Sequence, residues 1–324
     1  MRAEALVQGR PANPFLDICD THPCGIWLGR RAGLERVRFG RTDFAVSRVG
    51  FGCAAIGGYD YGPTGDRESL AAIRRALELG VNFFDTSDVY GLGHSEEILA
   101  AGLGEDRNKV VVATKFGVKW DARGRTERDI SPRYAAEAIE ASLGRLKLER
   151  IPVYQVHWPD GKTPIGDTLA ALKRFQEAGK IGCIGVCNFA PEQVREAQRA
   201  SRIESLQLPY SLVEPERGEE VHSAVEEFDL AFLPYSPLGQ GLLTGRYGPG
   251  SKFAGTDLRA RSERFSPDGL EACEPLIARV KSVIAGVKRP AQIEDNVGAA
   301  GWTLTPVERE FLEGGARLGD RPRA

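Results

Sequence analysis

The sequence lacks an excess of either charge. Its 43 Lys and Arg residues face 45 Asp and Glu, a net charge of −2 over 324 residues. Proteins that hold a phosphate backbone carry a basic surplus, so a nucleic-acid partner is not expected. No run of eighteen apolar residues occurs, so no membrane-spanning helix is expected either. The residues before about position 34 contain no uninterrupted apolar core of the kind a secretory signal needs, and Asp17 and Asp20 argue against a transit peptide. Residues 1–34 read as an irregular N-terminal extension, or as residues upstream of the natural start. Metal-ligand spacing and a disulfide framework are also missing. The six cysteines are Cys19, Cys24, Cys53, Cys183, Cys187 and Cys273. Cys183 and Cys187 are the nearest pair within a strand pattern, yet strand rise separates them by roughly 13 Å, too far to share an ion. Buried, reduced thiols in a cytoplasmic protein are the expectation.

What is present is an alternation. Short β-rich runs occur at 47–53, 81–87, 109–115, 152–158, 181–187, 204–210, 230–236 and 282–286, with helical patterns between most of them. Several runs are apolar almost throughout, the mark of strands covered on both faces in a parallel sheet. In the first helical pattern Leu70, Ile73 and Leu77 share a face. In the next, Ser131 is an N-cap followed by Pro132, with Ile139, Leu143 and Leu146 as the stripe. A third buries Leu169, Leu172 and Phe175. Thr305 and Glu308 form a capping box with Pro306 ahead of a last helix. Length permits one domain or two. Eight strands with intervening helices predict a (β/α)8 barrel over residues 35–324. The competitor is a doubly wound nucleotide-binding sheet, which should carry GxGxxG after its first strand. Here that position reads GFGCAAIGG, with the third glycine out of place.

In a barrel the C-terminal strand ends share one rim, where active sites form. The polar residues at those ends are Asp85, followed by Tyr90, then Lys115, His157, Asn188, Gln207 and Tyr235. A phenol titrates near pH 10, too high for an efficient acid at neutrality. A lysine cation at ~4 Å, with an effective dielectric of ~20, favours the phenolate by roughly 4 kcal/mol, about three pKa units at most. Asp85 would hold the Lys115 ammonium, and His157 would orient a carbonyl. None of these groups is a strong nucleophile. Proton donation to a carbonyl oxygen, matched by hydride arriving at carbon, suits these groups.

The segments FDTSDVYGLGHSEE, VVATKFG, VYQVHWPD, IGVCNF, LQLPYSL and PYSPLGQGLLTG closely resemble the motifs of the aldo-keto reductases, from about residue 35 to the C-terminus. The resemblance implies a barrel enzyme that reduces aldehydes or ketones, or oxidises a sugar or alcohol in reverse. It implies a catalytic tetrad of Asp85, Tyr90, Lys115 and His157, with Tyr90 as general acid. It assigns Asn188 and Gln207 to the nicotinamide carboxamide and Tyr235 to its ring. Ser236, Leu238 and Gln240 fall around the pyrophosphate, and Asn296 at the adenine. Lys288 and Arg289 are candidates for a 2′-phosphate, which favours NADP(H) over NAD(H). Trp120, Trp158 and Tyr61 would line a pocket for a small-molecule substrate. The alternative is a cofactor-binding regulatory or sensor protein with little turnover.

Three features depart from the family pattern. Cys187 stands where many relatives have serine. Gly286 and Gln292 occupy positions where some relatives place phosphate-binding lysine and arginine. Residues 268–286 run from a helical pattern into the eighth strand pattern without a turn signal, so the unit before that strand reads as shortened. The stretch from Gly239 to Phe265, with Arg246, Lys252, Arg259, Arg261 and Arg264, reads as an irregular cover over a pyrophosphate.

Overall fold

The computed structural model describes residues 34–58, 64–214 and 216–277, together with Ala291, Glu294 and Val297. The N-terminal extension up to residue 33, Tyr61, the eighth strand candidate, the connection just before it and the capping box at Thr305 lie outside the described residues.

The chain opens with an antiparallel hairpin, β1 (Arg36–Arg38) and β2 (Ala45–Ser47). Seven strands then form a parallel sheet: β3 (Phe51–Gly52), β4 (Phe83–Asp85), β5 (Val111–Phe116), β8 (Ile151–Val156), β9 (Ile181–Cys187), β10 (Ser205–Pro209) and β11 (Ala231–Tyr235). They lie in that spatial order, so each strand pairs with the next of the sheet in sequence. A second antiparallel hairpin, β6 (Val118–Trp120) and β7 (Thr126–Arg128), rises from the end of β5. The helices are α1 (Asp66–Glu78), α2 (His94–Leu103), α3 (Pro132–Leu146), α4 (Ile165–Glu177), α5 (Pro191–Ala200), α6 (Glu216–Phe228) and α7 (Pro267–Ile277). This is the (β/α)8 barrel expected from the alternation, seen here through seven of its strands.

Local signals act as expected. The Ser131 hydroxyl accepts the Tyr134 N–H at 3.3 Å and Pro132 begins α3. Ile139 and Leu146 are buried on that helix, as are Leu169 and Leu172 on α4. Leu143 and Phe175 are only partly covered. On α1 the deepest residues are Ser69, Ala72, Ile73 and Ala76, while Leu70 and Leu77 flank them half-buried. Small residues take the deepest positions there because α2 packs closely, with Gly102 against Ile73.

Alternation along the strands separates two apolar layers. Phe84, Val112, Tyr154, Ile184 and Leu206 face the helices. Phe83, Val111, Ala113, Val153 and Cys183 face the other way, where Phe39, Val37 and Phe44 of the first hairpin segment meet them. The Phe39 and Phe83 rings lie 5.6 Å apart. Asp85, Lys115, Gln155, His157, Cys187, Gln207 and Tyr235 share the parity of this second layer. The hairpin thus closes one end of the barrel, and the polar residues gather at the other.

Within this interior Gly185 lies where a Cβ would stand 2.2 Å from the Ser205 Oγ and 2.9 Å from the Gln155 Cγ. Gly185→Ala is expected to cost about 1–3 kcal/mol by overpacking, read as a lower urea midpoint. An unchanged midpoint would show that β10 relaxes to admit the methyl group.

Candidate active site

Lys115 is fully buried near the end of β5, an arrangement that needs compensation for every proton it carries. It has three, and each has an acceptor. Nζ lies 2.6 Å from the Asp85 Oδ1, 2.8 Å from the Thr86 carbonyl and 3.4 Å from the Tyr90 hydroxyl. Burial by itself would push the lysine pKa down. That is the largest single influence, but the charge and hydrogen bond of the Asp85 carboxylate, together with Tyr90 and Cys187, outweigh it, and the net shift is upward. The ammonium is therefore a permanent cation at neutral pH.

Asp85 is held as firmly. Its Oδ2 accepts from the Gln207 Nε2 at 2.9 Å and from the Gln155 Nε2 at 3.3 Å. Gln155 was not among the expected site residues. Its signal was present, since it lies two positions before His157 and so shares its face.

The segment after β4 delivers Tyr90. The Thr86 N–H bonds the Ala113 carbonyl at 2.8 Å and the Asp88 N–H bonds the Lys115 carbonyl at 3.2 Å, which docks this loop along β5. Gly91 lets the turn close: its φ is +63°, and a Cβ would meet the Gly57 carbonyl oxygen at 2.2 Å. The Tyr90 ring meets the edge of His157 with centroids 5.7 Å apart. Burial, then the charges of Lys115 and Arg128, push the His157 imidazole well below its ordinary pKa, so the ring is neutral. Its Nδ1 lies 3.1 Å from the Ser87 Oγ.

Further around the rim, Asn188 takes φ +61°, a left-handed conformation that asparagine tolerates better than most residues. Its Nδ2 donates to the His157 carbonyl at 3.0 Å, and its Oδ1 accepts the Tyr235 hydroxyl at 2.9 Å. The Cys187 thiol donates to the Gln207 Oε1 at 3.5 Å and receives the Asn188 Nδ2 at 3.1 Å. Burial pushes that thiol up to about 12, so it stays protonated. The expected tetrad and Asn188, Gln207 and Tyr235 are thus brought into one connected cluster. Ser236, Leu238 and Gln240 follow directly on β11, with left-handed backbone at Ser236 and Gln240. Trp158 lies 6.3 Å from His157, ring to ring, under the Arg128 guanidinium at 4.5 Å. Trp120 lies on β6 with the Arg145 guanidinium 5.9 Å from its ring. Tyr61, Lys288, Arg289 and Asn296 lie outside the described residues.

Residues 239–265 are more ordered than their composition suggests. Leu242 and Phe265 pack with Leu270 and Cys273 of α7. Arg259 lies over the Tyr247 and Phe253 rings, at 5.0 and 5.2 Å, and donates to Asp257 at 2.9 Å, and Arg264 pairs with Glu214. At least these two cations are tied to carboxylates of the chain itself.

Residues 48–277 match the model of the aldo/keto reductase family. The chain belongs to that family. An aldo-keto reductase of Bacillus subtilis, YhdN, is 33% identical over 307 residues, covering 86% of this chain and 92% of its own. An NADH-specific methylglyoxal reductase of Escherichia coli is 31% identical over 320 residues, covering 86% and 97%. Among solved structures, the glycerol dehydrogenase AKR11B4 of Gluconobacter oxydans is similar with a TM-score of 0.80 and 34% identity, over 90% of this chain and 98% of that one. The aldo/keto reductase fold accounts for the missing dinucleotide fingerprint, since a barrel has no doubly wound βα turn to carry it. Among the described residues, no group of three or more metal-ligating side chains converges, and no helix is long and apolar enough to cross a membrane.

Removing one partner of a buried ion pair leaves the other charge uncompensated. Lys115→Met is expected to destabilise the fold by about 3–5 kcal/mol in urea unfolding. The double variant Asp85→Asn with Lys115→Met should recover much of that loss. Strictly additive losses would show that the two side chains do not act as a pair.

Proposed function

We propose that residues 35–324 form a nicotinamide-dependent oxidoreductase that reduces aldehydes or ketones, or oxidises an alcohol or sugar in reverse. The observation that carries this reading is the Lys115 ammonium held 2.6 Å from Asp85 and 3.4 Å from the Tyr90 hydroxyl. A cation donating to a phenol oxygen stabilises the phenolate, and so makes Tyr90 a better proton donor. Asp85 keeps the ammonium in place and keeps the cluster near neutral. Neutral His157 directs a substrate oxygen towards Tyr90 by a hydrogen bond. Tyr90 gives its proton to that oxygen in reduction and takes it back in oxidation. Trp158, beside His157, supports an apolar or ring-shaped substrate, with Trp120 and Tyr61 as further proposed walls.

The rim residues fit a nicotinamide group. Tyr235 offers a flat aromatic face, Gln207 keeps one amide N–H and one acceptor lone pair beyond its bonds to Asp85 and Cys187, and the Asn188 Oδ1 keeps one lone pair beside the Tyr235 hydroxyl, a donor and acceptors that complement a carboxamide. When bound, the cofactor supplies hydride to the carbonyl carbon. Ser236, Leu238 and Gln240 extend the proposed site towards the pyrophosphate, and Asn296 towards the adenine. Lys288 and Arg289 support NADP(H), because both cations suit a phosphate. The Escherichia coli relative is named as NADH-specific, so family membership alone does not choose between the two.

Tyr90→Phe removes the proton and leaves the ring. Turnover of small aldehydes should fall by on the order of 10²–10⁴-fold, with cofactor affinity nearly unchanged by tryptophan quenching. Full activity would overturn the assignment of the acid. The same titration in the unaltered protein should give tighter binding of NADPH than of NADH. The reverse order would remove Lys288 and Arg289 from the cofactor site.

A further inference from the structure

We propose that Ser87 and Asp88 form a positioning relay that fixes His157 as the tautomer with its proton on Nε2, the nitrogen left to face the substrate. The inference rests on the reading that His157 directs a carbonyl oxygen.

A neutral imidazole has one N–H, and only that nitrogen can donate to a carbonyl. Which nitrogen carries it depends on what the other one meets. Nδ1 meets the Ser87 Oγ at 3.1 Å, and the same oxygen lies 3.2 Å from the Asp88 Oδ1. Ser87 and Asp88 are both buried. A hydroxyl has one proton, so the relay has two possible directions. With Asp88 ionised, Ser87 donates to Asp88 and accepts from Nδ1–H, and Nε2 is left as a bare lone pair. With Asp88 protonated, Asp88 donates to Ser87, Ser87 donates to Nδ1, and the imidazole proton is placed on Nε2.

The surroundings of Asp88 decide between these. The nearby cation is Arg145 of α3, and it is committed to Glu96 at 2.6 Å. Glu96 is fully buried on α2 and also accepts from the Thr114 hydroxyl at 2.6 Å, so its negative charge stays close to Asp88. From α3 the Tyr134 hydroxyl reaches the Asp88 Oδ2 at 3.5 Å, and from β8 the buried phenol of Tyr154 is near enough for the Asp88 charge to oppose its ionisation. Among the described residues, Asp88 therefore has no cation paired with it. Burial first, then the charge of Glu96, raise its carboxyl well above the usual range, against the weaker opposing effects of Arg145, Ser87 and the Val89 N–H. A neutral acid at Asp88, the state that its burial and the neighbouring Glu96 charge favour, gives the second direction. Burial first, then Lys115 and Arg128, keep the imidazole itself neutral, so a single proton is being placed.

The test is a long-range 1H–15N correlation spectrum of the full-length protein at neutral pH. The chain has four histidines, and His157 is assigned by the signals that His157→Gln removes. The expected result is an unprotonated Nδ1 and a protonated Nε2. Asp88→Asn should keep that pattern, because an amide N–H can donate to Ser87 as the acid does. Ser87→Ala should give a mixture of tautomers and lower kcat by about 10–10²-fold, with cofactor affinity unchanged, and Ser87→Thr should restore both. A proton on Nδ1 in the unaltered protein overturns the relay, and that spectrum needs no variant to fold. So does a Ser87→Ala spectrum identical to it. The relay stands or falls on these spectra, whereas carbonyl reduction stands or falls on Tyr90→Phe.

Discussion

The structure turns on one buried ammonium. A lysine inside a barrel is tolerated only when each of its protons is accepted, because desolvation of an unpaired cation costs several kcal/mol. Lys115 meets that demand with Asp85, the Thr86 carbonyl and Tyr90. Two of these acceptors hold the ammonium, and the third is the phenol proposed as the proton donor. In the proposed mechanism, fixing the charge and activating that phenol are one arrangement. The two glutamines on Asp85 extend it, tying β8 and β10 to a pair that belongs to β4 and β5.

Around this pair the barrel is a device for convergence. Strand parity sends every second side chain inward, and the first hairpin fills one end with Phe39, Val37 and Phe44. The polar side chains remain at the other end. Asn188 departs from this rule just past the end of β9, and Tyr90 arrives from a loop. It is placed by backbone bonds from Thr86 and Asp88 to β5 and by the close approach of Gly91 to Gly57. A loop residue held in this way reaches the precision of a strand residue without giving up its half-exposed position. Beside it lies a second polar group of buried Asp88, Glu96 and Thr114 with half-buried Arg145, in which the cation is shared out unequally. That unequal sharing is the basis of the relay proposed for His157.

Much of this was legible in the chain. Near-continuous apolar runs announced covered parallel strands, and their spacing announced a barrel. Asp85, Lys115, His157, Gln207 and Tyr235 were found because strand ends meet at one rim. Gln155 escaped notice because it lies a step inside the strand, although parity pointed to it. Ser87 and Asp88 escaped because a Ser-Asp pair in a loop is ordinary turn chemistry until a histidine from another strand is seen beside it. The cations of residues 239–265 read as one basic cover, because pairing with Asp257 and Glu214 is a matter of packing and not of composition.

The sequence by itself determined the barrel, the family and the inventory of reactive side chains. Period-two and helical patterns, caps and strand-end residues are all local properties of a chain. Only the tertiary structure decided who meets whom: which cation serves Asp85 and which serves Glu96, which carboxyl is left without one, and which nitrogen of His157 is engaged. Those outcomes depend on distances of a few ångströms between residues far apart in the chain. At that range, away from water, electrostatic and hydrogen-bond energies change steeply with each displacement.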